Sequence, residues 1–104
     1  AGKTLKYSKK LTVTATAYTA APGKKTASGK VAQYGVIAVD PKVIPLGTKL
    51  YVESTDDGKS WQYGYCVAGD TGGAVKGNKI DLYYGSQNEC LQFGRRSAIV
   101  YVLE

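Results

Sequence analysis

A chain of 104 residues with 43% hydrophobic content is long enough for one folded domain with a small core. It has no histidine, no methionine and only two cysteines, which excludes Ser-His and Cys-His nucleophile pairs and most zinc sites. Acid-base chemistry therefore falls to Asp, Glu, Tyr, Lys or Cys, and the net charge of +6 favours an anionic partner.

In chain order, residues 1–10 read as a basic leader or linker carrying Lys3, Lys6, Lys9 and Lys10. The first residue is Ala1 rather than Met, as expected of a trimmed piece of a longer protein. No hydrophobic segment follows the leader, so no signal peptide is read. No apolar run approaches the roughly 20 residues that span a bilayer. Leu11–Tyr18 alternates with period two and is rich in β-branched residues, which predicts a strand. Thr12, Thr14 and Thr16 share one face; Leu11, Val13, Ala15 and Ala17 share the other. A loop follows over residues 19–30, marked by Pro22-Gly23 and Ser28-Gly29.

Tyr34–Val39 is a short apolar strand stopped by Asp40-Pro41. Further strands are predicted over 49–53, 61–68, 79–84 and 98–103. Asp57-Gly58 is the sharpest hairpin signal between the first two of these. Ser86–Phe93 is the single helical candidate, with Ser86 as cap, Glu89 three residues on and Gly94 beyond its end. Six short strands with glycine at most corners predict a mainly β fold, closed into a small barrel because closure removes sheet edges. Residues 11–104 are taken as the barrel domain. Cys66 and Cys90 are either two small buried hydrophobes or a disulfide of an exported domain.

The eight acids sort individually. Asp56 and Asp57 belong to a turn, Glu89 to the helix cap, Glu104 to the terminus, and Glu53 to a strand end beside a solvated turn. Asp40, Asp70 and Asp81 remain, each at a strand end beside apolar residues and a loop of Gly, Pro or Thr. Asp40 could simply cap the turn before Pro41. Amides of Thr71-Gly72-Gly73 could hold the Asp70 carboxylate or a substrate anion. Asp81, between Ile80 and Leu82, has the plainest apolar setting and is the first candidate for a proton-holding general acid. Asp70-Thr71-Gly72 is also the tripeptide of aspartic proteases, and a homodimer of such a chain would suit one. Against that stand Ala68-Gly69 in place of bulky apolar residues, and the motif's late position.

Ala15-Thr-Ala-Tyr18, Thr26-Ala-Ser-Gly29, Gly35-Val-Ile-Ala-Val-Asp-Pro41, Ile44-Pro-Leu-Gly-Thr48 and Ala68-Gly-Asp-Thr-Gly-Gly-Ala-Val-Lys-Gly-Asn-Lys-Ile-Asp81 together resemble the 3D domain. That domain is named for three aspartates, matched here by Asp40, Asp70 and Asp81. The Asp-loop-Asp segment is similar to the barrel of MltA-type lytic transglycosylases. The resemblance implies a six-stranded double-psi β-barrel and cleavage of the MurNAc-GlcNAc bond of peptidoglycan to a 1,6-anhydro product. It also implies a secreted or wall-associated place among Gram-positive cell-wall proteins. Asp81 falls on the acid/base, Asp70 on the supporting carboxylate and Asp40 on the third family aspartate, whose role is read as structural.

Around these acids, Thr16 and Thr71 are candidate hydrogen-bond partners, and Tyr18 is a sugar-stacking residue or a barrel filler. Gly72 and Gly73 are turn residues that also let a glycan approach the backbone. Lys76 is a solvated loop lysine or a partner for a lactyl or peptide carboxylate. No metal or cofactor and no nucleic-acid partner are expected, since no basic stripe interleaves with aromatics. MltA-type enzymes have a second domain that completes the glycan groove. Here a homodimer or a fused wall-binding module would have to supply it. The alternative of a different class is a non-catalytic module that binds wall glycan or an anionic polymer such as teichoic acid.

Overall fold

The computed structural model describes residues 5–21 and 23–104. The elements follow as β1 (Tyr7–Tyr18), β2 (Val36–Val39), β3 (Lys49–Ser54), β4 (Gln62–Asp70), β5 (Lys79–Tyr83), α1 (Gln87–Phe93) and β6 (Arg96–Leu103). The six strands close in the order β1-β5-β2-β4-β3-β6, with β6 returning to β1. Two pairings are parallel, β1 with β5 and β2 with β4; the others are antiparallel. The mainly β, closed six-stranded barrel with one short helix is the fold observed.

Period two explains the interior. On β1, Val13 and Ala15 point inward beside Ile37 and Val39 of β2, Leu50 and Val52 of β3, Ile80 and Leu82 of β5, and Ala98 and Val100 of β6. Burying a side chain the size of Leu or Ile contributes about 1.5–3 kcal/mol. The strand expected from Leu11 starts at Tyr7, and its outer part pairs with Tyr101–Leu103 of β6. Of the expected leader, residues 1–4 lie outside the described residues.

The β3–β4 hairpin turns where Asp57-Gly58 predicts it, with positive φ at both residues (65° and 76°). Ser86 caps α1: its hydroxyl accepts from the Glu89 amide and bonds the Glu89 carboxylate, both at 3.2 Å. The helix docks through Phe93, which meets Trp61 edge-on at 5.2 Å and lies 5.5 Å from the Tyr84 ring.

One expectation is corrected, and one pair of alternatives is resolved. Glu53 is not solvated: it is fully buried, and the Tyr101 hydroxyl donates to its Oε2 at 3.0 Å. It lies one residue before the end of β3, a strand flanked by β4 and β6, so its side chain is enclosed although the turn begins after Ser54. Cys66 and Cys90 are free thiols rather than a disulfide. Cys66 packs in the barrel core, where burial pushes its thiol up to about 12, while Cys90 lies half-buried on α1.

Candidate active site

The site is organised by β2. Its residue Ala38 pairs with Asp70 of β4 on one side and with Asp81 of β5 on the other. With strands about 4.8 Å apart, the two aspartate backbones are roughly 10 Å apart across one intervening strand. This arrangement depends on an irregularity. Ile37 pairs with Ala68, yet the next residue, Ala38, pairs with Asp70. Gly69 is thus an extra residue in β4, a bulge that re-aims the side chain after it. Only glycine fits there: a Cβ on Gly69 would lie 2.6 Å from Cγ1 of the buried Val36. Gly69 stands within Ala68–Asp81, but its structural task depends on the partner strand β2 and is not visible in the sequence.

Asp81 is half-buried. Thr16, its register partner on β1, donates its hydroxyl to Asp81 Oδ1 at 3.0 Å. Burial raises the Asp81 carboxyl above the ordinary carboxylate value; the Thr16 bond pulls it down, and the charge of Asp70 raises it again. A carboxyl so placed holds its proton to higher pH than a solvated one and can deliver it to a neighbouring oxygen.

Asp70 is held by backbone amides. Its Oδ1 accepts from Ala27 N at 3.0 Å and from Thr71 N at 2.9 Å. The carboxylate therefore ties the loop after β1 to the start of the 71–78 loop. Ser28 N, donating to Gly69 O at 3.1 Å, fixes the same loop against the bulge. Asp40 is buried and serves a similar purpose elsewhere. Its Oδ1 accepts from Lys42 N at 3.0 Å and its Oδ2 from Gly77 N at 2.7 Å. Those two amide bonds, Gly77 first, hold the Asp40 carboxyl below its ordinary value, with Lys76 and Lys42 adding to the effect. Asp40 thus clamps the far end of the 71–78 loop to the end of β2.

A pocket of about 150 Å³ opens beside Asp81. Thr14, Thr16, Lys79 and Ile80 line it from the two parallel strands, Ala74 and Val75 from the loop, and Arg95 from the turn after α1. Val75 is buried and its amide closes a turn on Gly72 O at 3.1 Å, which sets the loop against the barrel.

The remaining sequence candidates fall in different places. Tyr18 donates its hydroxyl to Val36 O at 3.0 Å and meets Tyr83 edge-on at 5.5 Å. Burial, then the charges of Asp70 and Asp81, hold its phenol far above the ordinary value, so it stays protonated. Thr71 uses its backbone amide on Asp70 while its side chain is exposed. Gly73 is open, whereas a Cβ on Gly72 would press on Val75 at 3.0 Å. Lys76 is exposed and lies toward Asp40; it does not line the pocket. The pocket's cations are instead Lys79 and Arg95. Both escaped the sequence reading because strand register and the exit from α1 decide where they point.

A closed barrel that presents a half-buried aspartate, a second carboxylate across one strand and a glycine-rich loop over a pocket defines a carboxylate-centred barrel domain. Residues 35–104 match the 3D domain family, and the chain belongs to it. That membership accounts for Asp70-Thr71-Gly72 without an aspartic protease. The cell wall-binding protein YocH of Bacillus subtilis (strain 168) is 50% identical over 103 residues, covering 92% of this chain and 33% of YocH. The putative cell wall shaping protein YabE of the same organism is 40% identical over 102 residues, covering 91% of this chain and 23% of YabE. Among solved structures, the lytic transglycosylase MltA from Escherichia coli superimposes with a TM-score of 0.64 at 31% identity, over 81% of this chain and 28% of MltA. MltA with bound chitohexaose gives 0.62 at 30% identity. The chain spans about a quarter to a third of these proteins' length. No helix among the described residues is long and apolar enough to cross a membrane.

Proposed function

We propose that this domain is a peptidoglycan lytic transglycosylase of the bacterial cell wall, with Asp81 as its single acid/base. The observation that carries the reading is the half-buried Asp81 carboxyl, displaced toward its protonated form and opening on a pocket. In the proposed reaction the Asp81 proton passes to the oxygen between MurNAc and GlcNAc as the C1–O bond breaks. The resulting carboxylate then takes the proton of the muramyl C6 hydroxyl as that oxygen closes on C1. Products are a 1,6-anhydro-MurNAc end and a free GlcNAc hydroxyl, and Asp81 is again protonated. No water is consumed, so one carboxyl serves where hydrolases use two. Asp70 supplies negative charge facing the developing positive charge at C1, and the same charge raises the Asp81 carboxyl. Tyr18 lies near both acids, and Thr16 orients the Asp81 carboxyl. Asp40 acts through the loop, by holding Gly77, and not on substrate.

Wild-type protein incubated with purified wall should release anhydro-muropeptides detectable by mass spectrometry. Asp81→Asn should lower their yield at least about a hundredfold with its fold unchanged by circular dichroism. Products with reducing ends would mean that water, not the C6 hydroxyl, attacks C1, and the mechanism would be wrong.

A second reading is a wall-binding module without catalysis. It is favoured by 50% identity to a protein named for cell-wall binding. Sedimentation with insoluble wall, undiminished by Asp81→Asn and without released muropeptides, would favour it.

A further inference from the structure

The pocket beside Asp81 contains two cations that proton transfer does not use. Lys79 begins β5 and pairs in register with Thr14. Arg95 precedes β6 and is adjacent in sequence to Arg96, but the two arginines are used differently. Arg96 donates through Nε to Phe93 O at 2.9 Å and through a terminal nitrogen to Gln92 O at 3.4 Å. Its guanidinium also lies 4.5 Å from the Phe93 ring centre and 5.8 Å from that of Trp61. Arg96 is therefore committed to docking α1 on the barrel. Arg95 turns the other way, into the pocket lining, and is exposed. Among the described residues no hydrogen bond or ion pair engages its guanidinium or the Lys79 ammonium.

Among the described residues no ion pair joins Asp81 to either cation, and the side-chain hydrogen bond it makes is with Thr16. The pocket thus has the half-buried Asp81 carboxyl on one wall and two cations without a protein partner on others, around a volume several times the ~30 Å³ of a water molecule. A guanidinium matches a carboxylate with two parallel hydrogen bonds, and a nearby ammonium adds a point charge. Ala74, Val75 and Ile80 form the apolar part of the same lining. That mixture suits a carboxylate carried on a short carbon stem better than a fully polar phosphodiester.

We propose that Arg95 and Lys79 form a carboxylate-recognition subsite, which makes the pocket select glycans bearing an acidic substituent on the sugar beside Asp81 over uncharged glycans. The inference rests on the glycan reading of the site and names its substrate class. In peptidoglycan the carboxylate has two sources: the lactyl group of a peptide-free MurNAc, or the stem peptide of a substituted one.

The test measures binding, so that it is separable from catalysis. The full chain carrying Asp81→Asn, which leaves the ligand intact, is titrated calorimetrically with three oligosaccharides. These are an uncharged chito-oligosaccharide, peptide-free muramyl glycan and peptide-bearing muramyl glycan. The two acidic ligands are also used with their carboxylates converted to methylamides. At least one acidic glycan should bind about tenfold tighter than its methylamide form, and whichever shows the larger gap identifies the source of the carboxylate. Adding Arg95→Gln should remove most of that gap while leaving methylamide affinity and the melting temperature unchanged. Arg95→Lys should restore part of it. Equal affinity for acid and methylamide, a gap that survives in the Arg95→Gln/Lys79→Gln double variant, or no measurable binding of acidic glycan would each overturn the subsite. Should the wild-type chain release no anhydro products while the gap persists, the proton-transfer reading fails and the subsite stands.

Discussion

Gly69→Ala tests the backbone device that places the two acids. The added Cβ would sit 2.6 Å from Val36 Cγ1, about 1 Å inside the 3.5–4.0 Å optimum for two carbons. Val36 cannot step aside: it is buried at 4% exposure, and its β-branched side chain has one strongly preferred rotamer. Overpacking of this kind costs about 1–3 kcal/mol, which for a domain of this size lowers the melting temperature by about 4–20 °C. Val36→Ala alone also destabilises, since two buried methyl groups contribute about 0.8 kcal/mol each. In the double variant the clashing methyl is gone, so its loss should be smaller than the sum of the two single losses by about 1 kcal/mol or more. Thermal melts of the four proteins measure this coupling. Amide exchange at Ala27 and Thr71, both bonded to Asp70 Oδ1, reports whether Asp70 has moved. Additive losses, or a Gly69→Ala protein that melts like wild type, would refute the claim that a glycine bulge packed on Val36 sets the Asp70 register.

Asp70→Asn keeps an oxygen for the Ala27 and Thr71 amides but removes the charge that raises Asp81, so the alkaline limb of the pH–rate profile should move to lower pH. Thr16→Val removes a bond that lowers Asp81, and the same limb should move to higher pH. Because the folded-state value of Asp81 lies above its ordinary 3.8, wild-type stability declines as pH rises from that value through the folded one. Asp81→Asn should therefore melt higher than wild type at neutral pH, and the difference should vanish below the ordinary value. Asp40 has the opposite sign: its stabilisation is present above 3.8 and is lost as pH falls through its lower folded value. Asp40→Ala should accelerate amide exchange at Gly77 and Lys42.

The inner part of β1 was legible because apolar residues and threonines alternate, β2 because it is a short apolar run stopped by Asp40-Pro41, and the helix because Ser86, Glu89 and Gly94 mark its ends. The outer part of β1 carries no such signal: Tyr7–Lys10 are all exposed and are held by pairing with β6 rather than by burial. Asp70 and Asp81 stood out because each lies between apolar residues and a glycine loop. Their alignment across Ala38 could not be read, because it depends on one unpaired residue in a partner strand. Glu53 misled for a related reason: the turn after it is visible in the sequence, whereas enclosure by β4 and β6 is a property of barrel closure. Lys76 is exposed, as the solvated-loop reading has it, and lies near Asp40; the pocket's cations are Lys79 and Arg95.

All groups assigned to the proposed chemistry come from this one barrel: Asp81 and Lys79 from β5, Thr16 from β1, Asp70 from the end of β4 and Arg95 from the turn before β6. A glycan strand held by these groups alone would be gripped from one side. Contacts at the breaking bond strengthen in the transition state, whereas contacts along the rest of the strand bind ground and transition states alike. Supplying a second wall, by a fused glycan-binding module or by a paired copy of the domain, should therefore lower KM for glycan strands and leave kcat nearly unchanged. Steady-state release of anhydro ends by the isolated and fused forms separates the two parameters. A rise in kcat at unchanged KM would mean that the second wall contributes a group to the reaction itself, and Asp81 and its neighbours would then be only part of the catalytic site.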